Sequence, residues 1–180
     1  MAFLASACGQ DIETGQNQRI TGVPSMPLTG RVVDQADLLT DEAESELVGM
    51  LATLERTAGP QFVIATTESL DGRKIADYSV DLARSWGIGD KRRNDGVLLL
   101  VAPNERMVRI EVGYGLEASL SDPFCASVIR EEIIPAFSDG KMEEGIFRGA
   151  ARLMEKMQQT PTISTNDNAT ETSAENRKAS

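Results

Sequence analysis

Residues 96–117 read GVLLLVAPNERMVRIEVGYGLE. Gly96 to Val101 is a continuous apolar run, the pattern of a central strand covered on both faces. Pro103-Asn104 makes a turn. Arg106 to Val112 alternates apolar and polar side chains and pairs with the preceding run as a hairpin. An antiparallel hairpin of this kind, set among strand–helix repeats, predicts a mixed sheet.

Reading outward toward the N-terminus, Ile75, Ser79, Leu82 and Trp86 mark an amphipathic helix that Gly87 ends. Gln61 to Thr66, QFVIAT, reads as a buried strand. Before it, Ala43, Leu47, Leu51 and Leu54 recur on one helical face. Thr40 caps that helix, Asp41 and Glu42 fill its first turn, and Gly59-Pro60 stops it. Arg31-Val32-Val33 is a short extended segment. Toward the C-terminus, Asp122-Pro123 opens a third helix with proline at its first position. Phe124, Val128, Ile129 and Ile133 form its apolar side, and Pro135 is expected to end it. Met142, Ile146, Leu153 and Met157 mark a fourth helix. The order β-α-β-α-β-β-α-α predicts an α/β fold, an α/β/α sandwich with a mixed sheet of about four strands flanked by helices.

Residues 1–8 read as a remnant signal or lipobox, 9–27 as a flexible tether, 28–159 as the folded domain and 160–180 as a disordered tail. Cys8 follows Leu4-Ala5-Ser6-Ala7, small residues that resemble a bacterial lipobox. Two readings of Cys8 stand: a lipidated anchor, or an ordinary cysteine in a short irregular leader that lacks a basic start. The anchored reading places the protein in the bacterial cell envelope, periplasmic, touching the membrane only through lipid on Cys8. No apolar run is long enough to span a bilayer.

The chain carries 18 basic and 28 acidic residues, net −10. That balance argues against nucleic acid, which needs a basic face. It also argues against electrostatic docking to anionic lipid, and it suits cation binding. There is no histidine, so Ser-His-Asp and Cys-His catalysis and imidazole metal sites are excluded. A bound metal would take oxygen ligands, which favours calcium, magnesium or manganese.

The unusual local feature is Gly113-Tyr114-Gly115 at the end of the alternating strand. Glycines there permit positive φ or a close backbone approach. Glu111, Glu117 and Asp122 flank the turn, and three carboxylates beside a helix start can form an oxygen-rich cage. Against this, Asp122 can be a helix cap and Glu111 can point to solvent.

Trp86-Gly87-Ile88-Gly89, Asn94-Asp95-Gly96 with the apolar run after it, and Arg109 to Glu117 with Asp122 resemble the TPM domain, as does Gly30-Arg31-Val32-Val33-Asp34. The likeness spans about residues 28–155. It implies an α/β sandwich, a divalent-cation site often associated with calcium, an acid phosphatase activity, and accessory roles in membrane complexes. Position by position, it implies Asp34, Asp95, Glu111, Glu117 and Asp122 as metal ligands. Ala118-Ser119 departs from the family pattern, where a glycine is more usual.

Two functions follow as expectations. One is a cation-binding accessory module for a membrane-associated complex in the envelope. The other is a metal-dependent phosphomonoesterase of low specificity acting on a phosphate ester. For the enzyme, Asp34 or Asp95 would be base or nucleophile, and Arg109 or the Lys91-Arg92-Arg93 run would hold phosphate oxygens. The bland alternatives are a solvated basic loop and a structural bridge through Arg109. Cys125 falls on a predicted helix and reads as a core residue. The glycine turn is expected to work together with Asp34 and Asp95, brought alongside from other strand ends.

Overall fold

A computed structural model describes residues 24–159 of the chain. The expectations for residues 1–8, for most of the tether (9–23) and for 160–180, Cys8 included, concern residues outside those described. The elements are β1 (Val32–Asp34), α1 (Asp41–Ala58), β2 (Gln61–Thr66), α2 (Ile75–Trp86), β3 (Gly96–Ala102), β4 (Met107–Val112), a 3-10 turn (Tyr114–Leu116), α3 (Asp122–Val128), a π segment (Ile129–Ile133), α4 (Ile134–Ser138) and α5 (Met142–Gln158). The four strands form one sheet in the order β1-β2-β3-β4. β1, β2 and β3 run parallel, and β4 returns antiparallel to β3. The mixed α/β sheet is thus present, open at both edges.

Strand periodicity explains the layering. Val97, Leu99 and Val101 pack with Phe62, Ile64 and Ile110 on one face, under α1, α3 and α5. Leu98, Leu100 and Ala102 pack with Val63 and Ala65 on the other, under α2. That is why β3 is apolar at every position: both of its faces are core, and all seven residues are buried. β4 has one such face only and therefore alternates.

Local signals set the helix ends. Thr40 caps α1, accepting from the Ala43 N–H at 3.2 Å. The Thr40 N–H and hydroxyl both donate to Glu143 Oε2, at 2.9 and 3.0 Å, which ties the start of α1 to the first turn of α5. Gly87 closes α2 in the left-handed region, φ 62°.

Two boundaries differ from the reading of the sequence. Pro135 does not end its helix. The chain widens into the π segment just before the proline, then resumes as α4 to Ser138. Proline lacks an N–H and crowds the carbonyl four residues back, and a π turn relieves both. Gly145 and Gly149 of α5 let the widened turn pack closely. A Cβ on either would lie 2.6 Å from the Phe137 ring or the Ile133 side chain. The second difference is at the start. Met26, assigned above to the tether, is core, and its carbonyl accepts from Trp86 Nε1 at 2.8 Å.

Candidate functional site

The sheet register separates the candidate residues. Asp34 ends β1 beside Thr66, and Thr66 pairs with Val101. At the other end of β3, Gly96 pairs with Gln61 and receives the Gly113 N–H on its carbonyl at 2.8 Å. Asp34 therefore lies at the C-terminal edge of the parallel strands. Asp95 and the glycine turn lie at the N-terminal edge, about 20 Å away at ~3.3 Å per residue. The structure does not bring Asp34 alongside the glycine turn.

At the C-terminal edge, both oxygens of Asp34 are engaged. Oδ1 accepts from the Thr66 hydroxyl, and Oδ2 accepts from the Leu39 N–H at 2.8 Å. Thr66 Oγ1 in turn accepts from the Ala36 N–H at 2.9 Å. Asp34 thus holds the loop that leads from β1 to the cap of α1. Asp37 and Glu143 line a shallow, open concavity between that loop and the start of α5.

At the other edge, Asp95 is buried, 5% exposed. Its Oδ1 accepts from the Asp90 N–H at 2.8 Å and its Oδ2 from Arg93 Nε at 2.6 Å. Asp90 Oδ1 accepts from the Arg92 and Arg93 N–H groups, at 2.9 and 3.1 Å. Those N–H groups, that of Arg93 foremost, hold the Asp90 carboxyl below its ordinary range, and the Asp95 carboxylate raises the Arg93 guanidinium. Gln61 Oε1 adds a bond to the Gly89 N–H at 2.7 Å. The loop from Ile88 to Asp95 is thereby fixed in one shape.

The glycine turn seats this loop. Gly113 has an ordinary φ of −69°, so its need for glycine is not conformational. A Cβ there would lie 2.2 Å from the Asn94 carbonyl oxygen, and one on Gly115 would lie 1.9 Å from that of Arg93. The Gly115 N–H donates to the Asn94 carbonyl at 2.9 Å. Of the two uses of glycine considered from sequence, close backbone approach is the one observed. Sequence reasoning missed Gln61 and Asp90. The side chain of Asp90 lies two and three residues before the N–H groups it captures, an Asx-turn signal readable in Asp90-Lys91-Arg92-Arg93.

Arg109 and Glu111 sit on the α2 face of β4. Glu111 Oε2 accepts from the buried Ser79 hydroxyl at 3.1 Å and from Arg109 Nε at 3.2 Å. Here Arg109 forms the structural bridge that the sequence left as an alternative. Glu117 and Asp122 are exposed, and their carboxylates make no hydrogen bond or ion pair among the described residues. Ser121, not Asp122, occupies the cap position of α3.

The five proposed ligands do not converge. Among the described residues no three Asp, Glu, Cys or His side chains are placed to hold one metal ion. The oxygen cage suggested by the turn is not assembled by these side chains in this arrangement.

Cys125 is buried, 6% exposed. Burial above all, with Asp122 nearby, pushes its thiol up to about 11, against an opposing pull from Arg109. At pH 8 its thiolate is therefore scarcer by about 100-fold than that of a free cysteine. Iodoacetamide should leave the Cys125 peptide unmodified in the folded protein and label it in urea, as read by mass spectrometry. Labelling of native Cys125 at the rate of free cysteine would show that this side of the core opens.

Among the described residues no helix is long and apolar enough to cross a membrane. A family model described as the TPM domain matches residues 32–156. No curated protein matches the chain. Among solved structures, the chain is similar to the N-terminal domain of a protein from P. gingivalis, with 32% identity and a TM-score of 0.67, covering 72% of this chain and 82% of that one. It is similar in fold to the N-terminal domain of the cg2496 protein from Corynebacterium glutamicum, at 12% identity and TM-score 0.57, with 74% and 84% covered. It is similar in fold also to the BA42 protein of Bizionia argentinensis, at 20% identity and TM-score 0.58, with 66% and 81% covered.

Proposed function

This chain belongs to the TPM domain family, and on that premise we propose that it is a non-catalytic accessory module for a membrane-associated complex of the bacterial cell envelope. One observation carries the reading. The carboxylates that a hydrolase would need are already engaged inside the fold. Asp34 holds Thr66 and Leu39, and Asp95 holds Asp90 and Arg93. A general base must come within about 2.6–3.2 Å of its substrate, and Asp95, buried under the loop that it holds, faces no open space. Arg109, the candidate phosphate clamp, is paired with Glu111.

A divalent cation belongs to this proposal only as a weak surface ligand, calcium first and magnesium or manganese after it. Scattered carboxylates hold such ions at millimolar rather than micromolar levels, since affinity follows the number and rigidity of ligands. The periplasmic placement and the lipid on Cys8 are part of the same proposal and rest on Leu4 to Cys8.

The test combines two measurements on one preparation. With a Kd of about 1 mM, ~5 mM calcium stabilises by roughly 1 kcal/mol, which is about 2–4 °C in Tm. p-Nitrophenyl phosphate should be turned over no faster by the native chain than by Asp34→Ala or Asp95→Ala, with calcium, magnesium or manganese present. A rate lost in both variants would establish the phosphatase instead. A calcium shift several times larger would show a built site that these side chains do not form.

A further inference from the structure

β4 is an edge strand, and its outer side is unpaired. The bond from the Gly113 N–H to the directly opposed Gly96 carbonyl sets the parity of the β3–β4 ladder. Met107, Arg109 and Glu111 therefore direct their backbone groups to β3, and Val108, Ile110 and Val112 direct theirs outward. Apart from β3 and α2, no strand or helix makes more than glancing contact with β4. No proline interrupts the strand. Such an edge is a template for another strand.

The side chains of β4 state which strand fits. Its sequence, MVRIEV, is self-complementary when read antiparallel about Ile110. Ile110 then faces Ile110 of a second copy, and Val108 faces Val112. Arg109 lies directly opposite Glu111, twice over, in the non-hydrogen-bonded positions where side chains come closest. The parity agrees, because the residues that would exchange backbone bonds are the three that point outward. The ends agree as well. Met107, 45% exposed, falls opposite Gly113 and next to the 79% exposed Tyr114 of the other copy. These are two of the exposed large apolar side chains, and a methionine against an aromatic ring is a favourable contact.

We propose that β4 pairs with β4 of a second copy of this chain, joining two four-stranded sheets into one eight-stranded sheet around a two-fold axis at Ile110. The interface is isologous, so it closes at the dimer. It is small and held partly by ion pairs, so it forms at high protein concentration and weakens with salt. The inference is independent of the accessory-module reading and does not depend on whether the domain binds a cation.

Sedimentation equilibrium of the full chain tests it. The apparent mass should rise from that of the monomer toward twice that value between about 10 µM and 1 mM at low salt. Arg109→Glu sets Glu against Glu, and Glu111→Arg sets Arg against Arg, so each variant alone should associate at least about tenfold more weakly. Mixed in equal amounts, the two variants should recover the dimer, because every facing pair is then opposite in charge. Loss of a folded edge could not be repaired by mixing. Should a variant melt differently from the native chain, amide exchange of that chain decides. Val108, Ile110 and Val112 should be more protected at high concentration, while Arg109 and Glu111, already bonded to β3, stay unchanged. A native chain that remains monomeric at ~1 mM overturns the proposal. So does a mixture no heavier than its parts, or exchange that ignores concentration.

Discussion

Gly115→Ala should lower the stability of the domain by about 3 kcal/mol, or roughly 6–12 °C in Tm. The added methyl group would lie 1.9 Å from the Arg93 carbonyl oxygen and 3.1 Å from that of Asn94. These are backbone atoms, so no side chain can swing aside. The loop they belong to is itself pinned, by Asp90, Asp95 and Gln61. The Gly115 N–H would also lose its bond to the Asn94 carbonyl if the turn moved outward. Urea unfolding of the variant measures the effect. Gly49→Ala in the same series is the control, because a Cβ there meets nothing within 4 Å in the middle of α1. That substitution should stabilise by about 0.5–1 kcal/mol. If both changes cost the same small amount, the close approach at Gly115 is not maintained in solution.

Asp95→Ala should cost about 2 kcal/mol, or roughly 4–8 °C in Tm. It strips a buried acceptor from the Asp90 N–H and from Arg93. The larger share comes from the Asp90 N–H, left without a partner. The Arg93 side chain is 60% exposed, and water takes over most of its pairing. Asp95→Asn should cost less, since an amide oxygen still accepts one bond. Thermal melts of the two variants beside Asp34→Ala give the comparison. A loss under ~0.5 kcal/mol for Asp95→Ala would mean that the carboxylate is not holding the loop. It would then be available for other work, against the non-catalytic reading.

The architecture was legible because its signals are local. GVLLLV is apolar at every position because β3 is covered twice, and RMVRIEV alternates because β4 has one core face. Thr40, Gly59 and Gly87 mark helix ends through hydrogen bonds and dihedral angles that involve only a few neighbouring residues. Pro135 misled for the complementary reason. Whether proline ends a helix or is absorbed by a π turn depends on what packs against it, here Gly145 and Gly149 of α5. Met26 was assigned to the tether because nothing nearby in sequence shows that Trp86 will hold it.

The site divides along the same line. The chain alone determined that Glu111, Gly113 and Gly115 belong to one stretch, since spacing along a strand and its turn is a property of sequence, whereas Asp95 was tied to them only by the family resemblance. Only the tertiary structure decided what that stretch is for. Which end of a sheet a carboxylate occupies depends on strand direction. A parallel β1 sends Asp34 to the edge opposite Asp95, and no spacing rule within either segment contains that information. The glycines likewise answer to the loop from Ile88 to Asp95, folded back from earlier in the chain, rather than to any turn of their own.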